Sequence, residues 1–315
     1  MIRAILVRLA LLGALLLPSP ALADRQITLT FDDAPRGRGA FLTPHERTIK
    51  LISALERSQI RQAAFFVNPA LLDTEDGKDG AWQLASYVAA GHVLANHSFS
   101  HPALSDLSAE DFLANIDQAD AWLKQRPGFR PWFRFPYLNE GREDKAKRDA
   151  VRRGLAARGL RNGYVTVDGN DWHLEQLTIA ARQAGKPIDM KALRDLYVET
   201  HVLSAEFNEA LAIKATGRAP AHVMLLHETD LAALFLPDLV KALRARGWTI
   251  ITADAAFADP IAAEAATVDV PSAQGTLTEA VAWAHGLPAP RWPERNSTAV
   301  GERLFRERVL KEKVE

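Results

Sequence analysis

The sequence predicts an α/β fold: a distorted (β/α) barrel of seven parallel strands, with a helical insertion and a C-terminal extension. Three observations predict it. Short β-rich runs alternate with longer amphipathic stretches, the runs come at barrel-like spacings, and the conspicuous polar clusters follow the runs directly. The candidate strands are Gln26-Phe31, Gln62-Val67, His92-Asn96, Trp132-Phe135, Gly163-Val167, His222-Leu226 and Trp248-Thr252, each bounded by Gly, Pro or polar residues. Between them, Thr48 to Arg57, Trp82 to Ala90, Ala109 to Lys124, Lys145 to Ala157 and Leu236 to Ala245 place apolar residues three and four apart, the spacing of a one-sided helix. Strands alternating with helices pair in parallel. Fold alone assigns no chemistry.

The first 23 residues read as a segment apart. Arg3 and Arg8 precede an apolar run from Leu9 to Leu17, then Pro18, Pro20 and the small-residue site Ala21-Leu22-Ala23, the order of a secretory signal peptide. The run is too short for a membrane span, which needs roughly 20 apolar residues. The mature chain is expected to begin near Asp24, exported to the periplasm or secreted. There is no cysteine, so disulfides and thiolate chemistry are excluded and any metal must be held by nitrogen and oxygen. Lys+Arg 38 against Asp+Glu 39 leaves a formal net charge of -1, which offers no pull towards nucleic acid or an anionic membrane.

The polar clusters carry the functional argument. Asp32-Asp33 follow the first strand, His97 and His101 the third, Arg134 to Tyr137 end the fourth, Asp168 to Trp172 follow the fifth, and His227 closes the sixth. In a parallel barrel the C-terminal strand ends converge on one face, where catalytic residues gather. Asp32-Asp33 alone would read as a turn or helix cap. Adjacent carboxylates, however, repel unless a cation or guanidinium holds them ionised, and Arg134 is the candidate guanidinium. His97 and His101 put two imidazoles on one side of a turn or extended segment; a pair of surface histidines is the alternative reading. With Asp33 they make a His-His-Asp set with an open position, the pattern of a hydrolytic metal. It suits Zn²⁺ first, with Co²⁺, Mn²⁺, Ni²⁺ or Fe²⁺ compatible. His92 and His222 belong to strand starts and read as scaffold.

Taken in order, Thr30-Phe31-Asp32-Asp33-Ala34-Pro35, His97-Ser98-Phe99-Ser100-His101, Arg134-Phe135-Pro136-Tyr137, Asp168-Gly169-Asn170-Asp171-Trp172 and Leu225-Leu226-His227 resemble the five motifs of the polysaccharide deacetylases, carbohydrate esterase family 4 with its NodB homology domain. The likeness runs from about Gln26 to Asp254, which implies a catalytic domain over 24–258 and an extension over 259–315 packed on the barrel. The resemblance implies one divalent metal on Asp33, His97 and His101, with Asp32 as general base held by Arg134. It further implies His227 as the acid for the departing amine, its pKa raised by Asp171. The Tyr137 N–H would meet the oxyanion, and Trp172 and Leu225 would wall the acetyl pocket. The implied partner is an N-acetylated polysaccharide or oligosaccharide.

Ala34 stands where the family's first motif usually has Gly, so the turn after Asp33 is expected to differ in shape. Leu174 to Thr216 read as two or three helical segments broken at Gly185-Lys186-Pro187, an insertion placed to narrow the groove. The extension reads as Pro-broken, with an amphipathic helix at Leu277-Ala284 and a charged one at Val300-Val314. Two other functions fit the same barrel: an O-acetyl esterase, and a non-catalytic sugar binder. A binder has no need of a base, its cation and an acid together.

Overall fold

The structure, a computed structural model, describes residues 25–313; the expected signal peptide, Met1 to Ala23, lies outside the described residues. The chain opens with β1 (Arg25–Ala34), α1 (Pro44–Arg57), β2 (Ala64–Val67), α2 (Gly80–Ala89), β3 (Val93–Asn96), α3 (Ala109–Leu123) and β4 (Phe129–Phe133). After these come a short β5 (Asn139–Arg142), α4 (Lys145–Ala157), β6 (Arg161–Asn162) and β7 (Val167–Asp168). Next are α5 (Asp171–Gln183), α6 (Met190–Thr216), β8 (His222–His227), α7 (Asp230–Ala245) and β9 (Trp248–Ile250). The C-terminal part contributes α8 (Ala253–Ala256), α9 (Ala262–Thr267), β10 (Ala273–Gln274), α10 (Leu277–Ala284) and α11 (Thr298–Leu304).

The sheet order is β6-β4-β3-β2-β1-β8-β7, with β9 also on β1, and every pairing in it is parallel. The two outermost strands are six residues apart in sequence. Arg161 and Asn162 pair with Trp132 and Phe133 on one edge, while Val167 and Asp168 pair with Met224 and Leu225 on the other. One interrupted stretch, 161–168, therefore lies on both edges; counted as one strand with β1, β2, β3, β4, β8 and β9, it makes seven parallel strands curled into a half-barrel. The expected fifth strand at Gly163-Val167 falls in the gap: Gly163 donates to Phe133 O and Thr166 to Val223 O, so the stretch changes neighbours midway and cannot run as one ladder. Gly163 is needed there because a Cβ would lie 2.5 Å from the Phe66 ring.

Strand side chains alternate between two cores. Leu29, Phe31, Phe65, Val67 and Leu226 pack on the helical layer with Leu51, Leu55, Leu84, Leu236 and Leu239. On the opposite face, Phe66, Val93, Trp132 and Val223 pack with Phe257, Ile261, Val268, Leu277 and Val281. Local signals set the helix starts. Thr43 and Glu46 form a capping box with Pro44 at the first turn, so α1 begins earlier than apolar periodicity alone indicates. Thr229 caps α7, which carries Pro237 in its interior instead of starting at Leu236. The insertion is two helices, α5 and α6, separated at Gly185-Lys186-Pro187; α6 packs along α7 and α10.

Candidate active site

Asp32 and Asp33 end β1, where Asp32 is in register with His227 of β8. Asp33 takes a left-handed conformation (φ 63), which Asp tolerates better than most residues, so the positive φ falls on Asp33, and Ala34 is a buried strand residue. Ser98, His101, Tyr137 and Asn170 are left-handed as well. Four strand-end loops are thus bent at non-glycine residues, a concentration of unfavourable backbone typical of functional sites.

Asp33, His97 and His101 form the one group among the described residues able to hold a metal ion: one atom from each lies within 4.8 Å of the others. His101 Nε2 is 3.3 Å and His97 Nε2 3.7 Å from Asp33 Oδ1. The other ring nitrogen of His97, Nδ1, is 3.0 Å from the carbonyl of Arg134. A proton on Nδ1 satisfies that carbonyl and leaves the Nε2 lone pair aimed at the centre of the set, the second-sphere arrangement metal-binding histidines use. Burial pushes both imidazoles down to about 4, so they present neutral donor nitrogens. Burial would raise Asp33, but His227, His101, Arg36 and His97 hold it at about 2. A deprotonated carboxylate with two neutral imidazoles is the donor set that suits a divalent ion with a position left open.

Asp32 is buried behind this set. Arg134 Nη1 donates to Asp32 Oδ1 at 2.6 Å and to Thr30 Oγ1 at 2.8 Å, and Arg134 Nε to Gly163 O at 2.7 Å. Its guanidinium also lies 3.7 Å over the Phe66 ring. The stretch on both sheet edges therefore fixes the arginine that fixes Asp32. Burial raises the Asp32 pKa, and the Arg134 charge opposes the rise. The second oxygen, Oδ2, is 3.6 Å from His97 Nε2.

His227 lies beside Asp32, its register partner on the adjacent strand β8. Its Nδ1 is 2.7 Å from Asp171 Oδ1, and its backbone N–H donates to Asp171 Oδ2 at 2.7 Å. The Asp171 carboxylate is thus bidentate to a single residue and leaves Nε2 for the pocket. Burial by itself would lower the imidazolium's pKa, but Asp171, with Asp33 and Asp32, raises it to about 9. His227 is therefore cationic at neutral pH.

These residues open on a cavity of about 450 Å³ lined by Asp32, Asp33, His97, His101, Tyr137, Trp172, Leu225 and His227. Arg134 and Asp171 stand behind it, against Asp32 and His227. Tyr137 is 59% exposed, and its ring meets that of His101 edge-on at 4.5 Å. Its N–H is not used by the turn's own hydrogen bonds, which run from Leu138 N to Phe135 O and from Asn139 N to Pro136 O. Five lining residues were not singled out from sequence: Arg36, Leu138, Gln176, Gln274 and Gly275. Arg36 had a local signal, three positions after Asp33. Gln274 and Gly275 had none, because they arrive from the far end of the chain on a two-residue strand. His92 and His222 are scaffold: His92 Nδ1 accepts Ala63 N–H, and His222 sits between Thr166 and Glu209.

A curled parallel half-barrel with a carboxylate-imidazole metal set, a buried arginine-held aspartate and an aspartate-held histidine defines a class of hydrolase-like site. Residues 20–157 match the model of the polysaccharide deacetylase family. It is 26% identical over 238 residues to a chitin deacetylase of Colletotrichum lindemuthianum, covering 74% of this chain and 79% of that protein. A peptidoglycan-N-acetylglucosamine deacetylase of Bacillus cereus is 21% identical over 237 residues, 74% of this chain and 68% of that one. The solved structure of the Colletotrichum chitin deacetylase superposes with a TM-score of 0.50 at 18% identity, over 76% of this chain and 89% of that one, a likeness of fold. No helix among the described residues is long and apolar enough to cross a membrane.

Proposed function

We propose that the protein hydrolyses the acetamido group of an N-acetylated sugar polymer or oligomer, releasing acetate and a free amine. In this reading it is exported, cleaved before Asp24, catalytic over 24–258 and extended by 259–315. One divalent ion, Zn²⁺ before Co²⁺, Mn²⁺, Ni²⁺ or Fe²⁺, would be held by Asp33, His97 and His101. The observation that carries the reading is the meeting, in one cavity, of this donor set with two differently prepared groups: Asp32 under Arg134, and a cationic His227 under Asp171.

Held by Asp33, His97 and His101, such an ion would supply Lewis acidity towards the acetamide carbonyl and would make water easier to deprotonate. Asp32 takes the proton from the attacking water; Arg134 keeps its carboxylate oriented while the charge changes. The carbonyl oxygen gains negative charge as the carbon becomes tetrahedral, and the Tyr137 N–H donates to it. Collapse breaks the C–N bond. An amine leaves poorly unless protonated, and His227 Nε2 gives its proton to that nitrogen, with Asp171 stabilising the imidazolium beforehand. Trp172 and Leu225 bound the space for the acetyl methyl. An ester's leaving alcohol needs the His227 proton less, so a histidine kept cationic favours the amide over the O-acetyl ester reading. The test is acetate release from chitin oligosaccharides, peptidoglycan and acetylated xylan, each with and without chelator. No chelator-sensitive release from any of the three would refute the proposal.

A further inference from the structure

Tyr137 and Leu138 are consecutive left-handed residues (φ 58 and φ 49) without glycine's freedom, so their peptides need outside support to stay in place. That support comes from about 137 positions later in the chain. The carbonyl of Tyr137 accepts Gln274 Nε2 at 3.3 Å, and the carbonyl of Leu138 accepts Gly275 N at 3.1 Å. β10 pairs antiparallel with β5, Ala273 to Arg142 and Gln274 to Asn139, which brings the two segments into register. Gly275 has φ 110, and a Cβ there would stand 2.5 Å from Glu279 Oε2, so only glycine makes this turn into the capping box of α10. A second grip lies across the cavity. Asn296 Nδ2 donates to Asp168 O at 2.8 Å and Asn170 Nδ2 to Asn296 O at 2.6 Å, tying down the loop that carries Asp171 and Trp172.

We propose that Gln274, with Gly275, is a positioning residue of the reaction: the segment 273–275 holds the Tyr137–Leu138 backbone so that the Tyr137 N–H meets the developing oxyanion, making the C-terminal extension part of the active site. This rests on the deacetylase reading above. Gln274 is solvent-exposed while lining the cavity, so its side chain contributes little to packing and its removal tests the contact and not the fold. An oxyanion donor serves amide and ester alike, which separates its loss from the loss of a leaving-group acid.

The experiment compares the full-length, Zn²⁺-loaded protein with Gln274→Ala, Gln274→Glu and Gln274→Lys, on a chitin oligosaccharide and on an aryl acetate ester. Gln274→Ala and Gln274→Glu lose the donor to the Tyr137 carbonyl, and kcat falls about 5–20-fold on both substrates, less than the loss for removing an oxyanion donor outright. KM stays within about twofold, and bound zinc and melting temperature are unchanged. Gln274→Lys restores an N–H donor of similar reach and recovers most of the turnover. Unchanged kcat in Gln274→Ala, a loss confined to KM, a loss accompanied by loss of zinc or of folding, or a Gln274→Lys as slow as Gln274→Ala each overturns the positioning role. Absence of acetate release by the parent protein would overturn the deacetylase reading itself, and this proposal with it.

Discussion

Arg36 Nη1 lies 2.8 Å from Asp33 Oδ2, so a guanidinium claims one oxygen of the carboxylate whose other oxygen faces His97 and His101. The contact leaves Asp33 a single free oxygen towards the donor set and puts a positive charge beside the place an ion would occupy. At a surface-like effective dielectric, like charges a few ångströms apart cost on the order of 1–4 kcal/mol. Arg36→Gln removes that repulsion and frees Oδ2. Zinc affinity, measured by competition with a chelator, is expected to rise by about tenfold or more. A fall would show that holding the carboxylate in one orientation matters more than the charge.

The donor set gives a second prediction. Asp33→Ala, His97→Ala and His101→Ala are each expected to lose bound metal and turnover together. His92→Ala should keep stoichiometric metal, since His92 is buried against Ala63 and not in the cavity. It should instead destabilise the fold by about 1–3 kcal/mol, by stranding the Ala63 N–H it accepts. Elemental analysis and denaturant melts read both; full metal occupancy in His97→Ala or His101→Ala would remove the site.

Export is checked separately. Protein recovered from an exporting host is expected to start at or near Asp24, because Ala21-Leu22-Ala23 reads as a cleavage site. An intact mass that retains Met1 in exported protein would contradict this.

The placement of the site was legible because strand ends are marked by short-range signals: an apolar run, then Asp32-Asp33, or Asn96-His97 after Val93-Leu94-Ala95. Once β1, β3, β4 and β8 are parallel, those ends must share a face. What could not be read was held by long-range contacts. The split of the expected fifth strand depends on Gly163 and Thr166 choosing different neighbours, and no periodicity encodes that choice. Gln274 reaches the cavity through a pairing of two residues, too short to register as a strand. Arg36 was visible but had no partner until Asp33 turned left-handed and brought Oδ2 within reach.

The His227–Asp171 pair makes the pH dependence a test. Because the folded pKa is raised to about 9 from an ordinary 6.5, His227 carries its proton at neutral pH and loses it as pH rises through about 9. Amide turnover should therefore fall on the alkaline side near pH 9. The stability contributed by the pair follows the same sign: it is fully present below about 6.5 and lost as pH rises through the folded value. Asp171→Asn removes the charge but keeps the shape, so the alkaline limb of kcat should move down towards the ordinary imidazole range. A limb that stays near 9 in Asp171→Asn would show that Asp171 does not set it.

Asp32 and His227 are separated by substrate chemistry. Asp32→Asn preserves the contact to Arg134 through its amide oxygen and leaves Asp33, His97 and His101 untouched, so metal should stay bound. The base is gone, and kcat should fall by roughly 10²–10⁴ on any acetylated substrate, because the attacking water must lose its proton whatever group leaves later. His227→Ala also keeps the metal, but it removes the proton donor to the leaving group. An amine cannot depart without that proton, whereas the phenolate of an aryl acetate ester can. The loss in kcat on a chitin oligosaccharide should therefore exceed the loss on the ester by at least about tenfold. The pattern to look for is Asp32→Asn failing equally on both substrates and His227→Ala failing mainly on the amide. Equal losses in His227→Ala would take the leaving-group acid away from His227, and near-parental amide turnover in Asp32→Asn would take the base away from Asp32.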